Sequence, residues 1–88
     1  MKLELYSIPN NSDSEKIKDF LVKNNIHFKE IIIDNEKSRI ELKKLTRQNN
    51  ISCLKITKSH GIEVIAGFLE FPLQQLIEHI KKYNPKIS

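Results

Sequence analysis

Cysteine occurs once in these 88 residues and tryptophan not at all. A single thiol cannot close an intrachain disulfide, so a stapled, secreted scaffold is excluded. With two glycines and three prolines the chain has no glycine-rich phosphate cradle and no low-complexity linker. No apolar run approaches the roughly 18–20 residues that a bilayer-crossing helix needs, so no membrane partner is expected. The opening MKLELY alternates like a strand and has no apolar stretch leading to a cleavage site. It does not resemble a signal peptide, and the cytoplasm is the expected location.

What is present describes one globular unit. Hydrophobic residues make up 39% and charged residues 30%, far from a disordered profile. A chain of this size buries about 60–65% of its extended surface, so a single domain over 1–88 with one modest core is expected. The net charge of +4 arises from 15 basic and 11 acidic residues. The lysines are spread out, with loose groups at Lys43, Lys44 and Arg47 and at Lys81, Lys82 and Lys86. Nucleic-acid binding needs a focused basic patch with stacking groups. Tyr6, Phe20, Phe28, Phe68 and Phe71 stand in apolar surroundings and are expected in the core. No nucleic-acid partner is therefore expected.

The chain divides into seven elements. Residues 2–7 alternate as a half-buried strand, with Leu3 and Leu5 facing one way, and Pro9 ends it. Ser12 or Ser14 can cap the helix that follows, and Ser12 with Glu15 has capping-box spacing. Ile17, Phe20 and Leu21 share that helix's apolar face. Residues 28–33, FKEIII, read as a strand buried on both faces. Asp34-Asn35 breaks it before a helix from Glu36 or Lys37 to Gln48, with Ile40, Leu42 and Leu45 on its apolar side and Asn49-Asn50 as its stop. Residues 52–57 and 62–66 are short strands around a tight turn at 58–61. Pro72 suits the first turn of a last helix carrying Leu73, Leu76, Ile77 and Ile80, and Pro85 bars a long continuation. The order β-α-β-α-β-β-α implies a parallel first pair, a terminal hairpin and a four-stranded mixed α/β sheet with helices on both faces.

That order, together with local words, resembles the glutaredoxin form of the thioredoxin fold over essentially the whole chain. Tyr6-Ser7-Ile8-Pro9-Asn10 resembles the family's lead-in to its Cys-x-x-Cys motif. Glu15 to Leu21, EKIKDFL, looks like its first helix. Leu45-Thr46 and Gly67-Phe68 match the words that close the second helix and precede the last one. The departures are equally specific. The nucleophilic cysteine falls on Asn11 and the resolving cysteine on Ser14. The cis-proline is also missing, with Asn50-Ile51 leading into Ser52. A cis bond before a non-proline residue costs about 2.5–4 kcal/mol, so Ile51–Ser52 is expected to be trans. Ile8 stands at a commonly basic position. Leu69, with Glu70 beside it, stands where an acidic residue helps to hold glutathione.

The resemblance places the former ligand groove at Asn11, Ser12 and Ser14, facing Ile51 and Ser52. Gly67 and Phe68 complete it. Thiol–disulfide exchange needs a thiolate, and Asn11 cannot form one. Ser14 has no base nearby in sequence to activate its hydroxyl. Cys53, one residue past the missing proline, has two readings: a relocated thiol facing the groove, or a small half-buried strand residue. His27, His60 and His79 are too scattered for metal-ligand spacing, so no metal is expected. Iron–sulfur binding, which some glutaredoxins achieve through the motif cysteine and glutathione, is lost with Asn11. No cofactor is expected, although glutathione binding stays open because a helix N-terminus still faces the groove. Ser12, Asp13 and Ser14 are read as capping residues. The leading expectation is a glutaredoxin-like binding or structural module without oxidoreductase activity, its partner a protein or a small thiol ligand. The alternative is a component of a thiol redox system working through Cys53 or a partner's thiol.

Overall fold

The computed structural model describes residues 1–48 and 50–83, so the expectations attached to Asn49, Pro85 and Lys86 lie outside the described residues. The elements run β1 (Lys2–Ser7), α1 (Ser12–Lys23), β2 (Lys29–Ile32), α2 (Glu36–Thr46), β3 (Cys53–Lys58), β4 (Gly61–Ala66) and α3 (Glu70–Tyr83). This is the expected order, and the sheet order is β2-β1-β3-β4. β1 and β2 are parallel, with Tyr6 opposite Ile31. β3 is antiparallel to both β1 and β4, with Leu5 opposite Leu54 and Leu54 opposite Ile65.

Side chains alternate across the strands and so divide the interior between two faces. On one face Leu3, Leu5, Leu54, Ile56 and Ile65 meet Ile17 and Leu21 of α1. The stripe Leu73, Leu76, Ile77 and Ile80 of α3 closes that face, as its helical spacing predicts. On the other face Tyr6, Ile33 and Cys53 lie under Leu42 of α2, with Leu45 and Val64 at the margin. The architecture is a sheet between two helices and one, the thioredoxin-like arrangement.

Several expectations are corrected. β1 is buried on both faces, because as an inner strand it carries the large core on one side and Tyr6 beneath α2 on the other. β2 is the reverse: it spans only Lys29–Ile32, forms an edge, and leaves Lys29 and Ile32 exposed. Phe71 is 72% exposed, since it stands on the side of α3 away from Leu73. Ile40 is half exposed, so Leu42 and Leu45 alone form the apolar side of α2. That helix starts with a reciprocal capping box between Asn35 and Ser38 and stops at Thr46. Arg47 then adopts the left-handed conformation, with φ 61°. The cap of α1 is Asn11, not Ser12 or Ser14. No described peptide bond is cis.

Candidate functional site

The C-terminal ends of the parallel strands β1 and β2 lie at one end of the sheet, the place where open α/β sheets build their crevices. The chain leaves β1 through a tight turn in which the Asn11 N–H donates to the Ile8 carbonyl at 3.2 Å. Pro9 suits the second position of this turn, and Asn10 takes φ 61° at the third, where asparagine is well tolerated. The turn delivers Asn11 to the start of α1. Its Oδ1 accepts from the Ser14 N–H at 3.0 Å, satisfying one of the free donors of the first helical turn. The Ser14 hydroxyl lies 3.3 Å from the same oxygen and accepts from the Ile8 N–H at 2.9 Å. Ser14 is only 2% exposed.

Asn11 and Ser14 are therefore joined in a closed set of hydrogen bonds that turns their polar atoms toward the backbone. Ser12, between them, is exposed at the first position of α1. Asp13 and Glu15 place negative charge in the first turn, which suits the helix dipole but opposes an incoming anion.

The facing segment is held by main-chain geometry. Ser52 is fully buried, and its hydroxyl donates to the Tyr6 carbonyl at 2.6 Å, tying the segment before β3 to the end of β1. The Gly67 N–H donates to the Ser52 carbonyl at 2.7 Å. Gly67 has φ +79°, and a Cβ there would sit 3.5 Å from Oδ2 of Asp13. That is an ordinary contact distance, so it is the left-handed backbone conformation that would strain a side chain at Gly67. Phe68 turns inward and meets Phe20 edge-on at 6.1 Å between ring centroids, beside the larger core. The structure thus brings Asn11, Ser14, Ser52 and Gly67 to one end of the sheet. Phe68 anchors that end from below, and Ile51 is half-buried beside Ser52.

Cys53 follows directly but faces beneath α2, with no exposed surface. Burial pushes its thiol up to about 12, against the opposing pull of Lys55. Its neighbour across β1 is Tyr6, whose hydroxyl donates to Oε1 of Glu41 at 2.7 Å. Burial, then the Glu41 hydrogen bond and charge, hold that phenol well above its ordinary range. His27, His60 and His79 are exposed before β2, in the β3–β4 turn and on α3. Among the described residues no three His, Cys, Asp or Glu side chains come together as a metal site. No helix among them is long and apolar enough to cross a membrane.

One feature was not anticipated from the sequence. A groove of about 590 Å³ opens beside the loop, lined by Ile8, Pro9, Ile33, Asp34, Arg39 and Asn50. It offers apolar walls with an acid and a guanidinium at the rim. The signal for it was the parallel pairing of β1 and β2, which must carry the 8–11 loop and the 33–35 loop to the same end of the sheet.

Solved structures share this architecture. The thioredoxin-like protein BC3987 is 30% identical with a TM-score of 0.70, the match covering 85% of this chain and 99% of that one. A glutaredoxin from Archaeoglobus fulgidus is 13% identical with a TM-score of 0.70, covering 86% of this chain and 85% of that one. Glutaredoxin 1 from Francisella tularensis, complexed with cacodylate, is 20% identical with a TM-score of 0.63, covering 88% and 96%. The two glutaredoxins bear on the fold alone. No protein-family model matches the chain, and no curated protein matches it.

Proposed function

Since the chain belongs to the thioredoxin-like family, we propose that it is a glutaredoxin-like member that binds a partner without exchanging disulfides. The observation that carries this reading is the closed hydrogen-bond set at the start of α1. Asn11 and Ser14, at the positions of the family's two cysteines, hold each other and the Ile8 N–H instead of presenting a reactive group. The lone cysteine supports the same conclusion from the other side. A thiol with no exposed surface and a pKa of about 12 has neither access nor thiolate at neutral pH.

What remains at this end of the sheet is a recognition surface. The groove beside Ile8 and Pro9 combines apolar walls with Asp34 and Arg39. A guanidinium at the rim suits a carboxylate, and an apolar trough suits the body of an extended peptide. A short peptide, or a small thiol such as glutathione, has the matching chemistry.

Two measurements test the reading together. In a glutathione-coupled disulfide reduction assay, no turnover above the uncatalysed rate is expected. Titration with reduced glutathione should shift the amides of residues 11–14, 33–39 and 50–53 and spare the far end of the sheet. Turnover that disappears in Cys53→Ser protein would overturn the non-catalytic reading and favour a redox role for Cys53. The absence of any amide shift with glutathione would restrict the partner to a protein.

A further inference from the structure

The outer edge of β4 is the largest unpaired backbone surface of the sheet, and its hydrogen-bond phase can be read from one contact. Ser52 and Gly67 continue the β3–β4 register, and the Gly67 N–H bonds the Ser52 carbonyl directly opposite. In an antiparallel pair such bonded positions alternate with non-bonded ones. Gly61, Glu63 and Ile65 therefore direct their backbone groups at β3, and Ile62, Val64 and Ala66 direct theirs outward. Among the described residues no strand pairs with that side.

Sheet edges that remain solitary are usually protected by unpaired charged side chains, lysine above all, by proline or by a bulge. β4, GIEVIA, has none of these residues, and its pairing with β3 runs without interruption. Its one charge, Glu63, is matched by Lys58 at 2.8 Å. The edge is thus locally neutral on a chain of net charge +4. Ile62 is 60% exposed, Ala66 is exposed and Val64 is half-buried, and all three share the face on which α2 lies.

We propose that β4 pairs with β4 of a second copy of this chain, antiparallel about a two-fold axis at Val64, extending the sheet across the dimer. In this register Val64 faces Val64 of the second copy, and Ile62 faces its Ala66. Every outward-directed residue of the strand then lies opposite another, and each such pair exchanges both backbone hydrogen bonds. Glu63 falls opposite Ile65 of the second copy. A register centred on Glu63 would set the two carboxylates directly opposite each other, which is destabilising. One centred on Ile65 would carry Ile62 past the end of the strand. The two copies of Ile62, Val64 and Ala66 form one apolar strip on the α2 side. Local neutrality favours a second copy over an anionic partner as the occupant.

So small a contact predicts a weak dimer, with a dissociation constant of roughly tens to hundreds of micromolar. Sedimentation equilibrium and diffusion NMR across that range should show concentration-dependent association, with amide shifts concentrated in β4. Ile62→Lys adds a charge at an exposed edge position, and Val64→Pro removes an outward donor that β3 does not use. Each should weaken association at least about tenfold while the circular dichroism stays unchanged. A chain that stays monomeric up to millimolar concentration overturns the proposal and leaves the edge to another protein or to a segment of its own chain. A dimer that survives in both folded variants also overturns it, because the contact must then lie elsewhere.

Discussion

At residue scale, Cys53 shows how one position can contain the right element in the wrong surroundings. It follows Ser52 at the end of the sheet where the 8–11 loop lies, yet strand alternation turns it under Leu42 into the core on the α2 side, and it does not line the groove. Solvent cannot stabilise a thiolate there, so burial raises the pKa from 9.0 to about 12. The linkage has a definite sign. Between those values the unfolded chain has released the proton that the folded chain retains, so stability falls as pH rises. The contribution is complete below pH 9.0 and declines toward pH 12, by up to about 1.4 kcal/mol per pH unit. Tyr6, also raised by burial, acts in the same direction at higher pH. Denaturation midpoints should therefore hold level near neutrality and drop above pH 9.0, less steeply in Cys53→Ala protein. Ellman's reagent should leave native protein unlabelled at neutral pH and label it fully in denaturant. Rapid native labelling would show that the thiol is accessible after all.

At the scale of elements, the start of α1 makes a measurable claim about why Asn11 and Ser14 are there. Asn11→Ala removes the cap and should cost about 1 kcal/mol. Ser14→Ala removes the acceptor of the part-buried Ile8 N–H as well and should cost about 1–3 kcal/mol. The two share hydrogen bonds, so the double variant should lose less than the sum. Additive losses in urea titrations would mean that the residues act separately. Asn11→Asp, which keeps an acceptor, should retain most of the stability. Much of this region was legible in the sequence: the end of β1, the loop and the start of α1 all follow from YSIPNNSDSEKIKDFL. The choice of Asn11 over Ser12 as cap was not, because both residue types cap well and only the Ile8–Asn11 turn decides which one arrives first. FKEIII illustrates the same limit. Its β-branched composition announces a strand, but whether both faces are covered depends on its place in the sheet, and β2 is at the edge. Phe71 and Ile40 were misplaced because apolar character alone cannot tell a helix's outer face from its inner one when neighbouring positions are also apolar.

At the scale of the whole molecule, the two faces of the sheet are fastened very unequally. α1 and α3 share one side with a broad cluster running from Leu3 and Leu5 to Ile65 and Ile80. α2 covers the other with Leu42 fully buried, Leu45 half-buried, and the Tyr6–Glu41 hydrogen bond as its polar tie. Burying one leucine contributes about 1.5–3 kcal/mol, and a single hydrogen bond to a charged acceptor about 1.5–3 kcal/mol. A helix held this lightly should open before the rest of the protein does. Arg39 of α2 and Asp34 just before it line the groove, so such opening would reshape the proposed binding surface while the α1–α3 side stayed folded. Native-state hydrogen exchange should accordingly show the amides of α2 exchanging at a lower free energy than those of β1 and β3. Leu42→Ala should deepen that difference, lowering α2 protection sharply and α1 protection little. Equal exchange free energies for α2 and β3 in the unmutated protein would mean that the two faces unfold as one unit, and the groove would then be as rigid as the core beneath it.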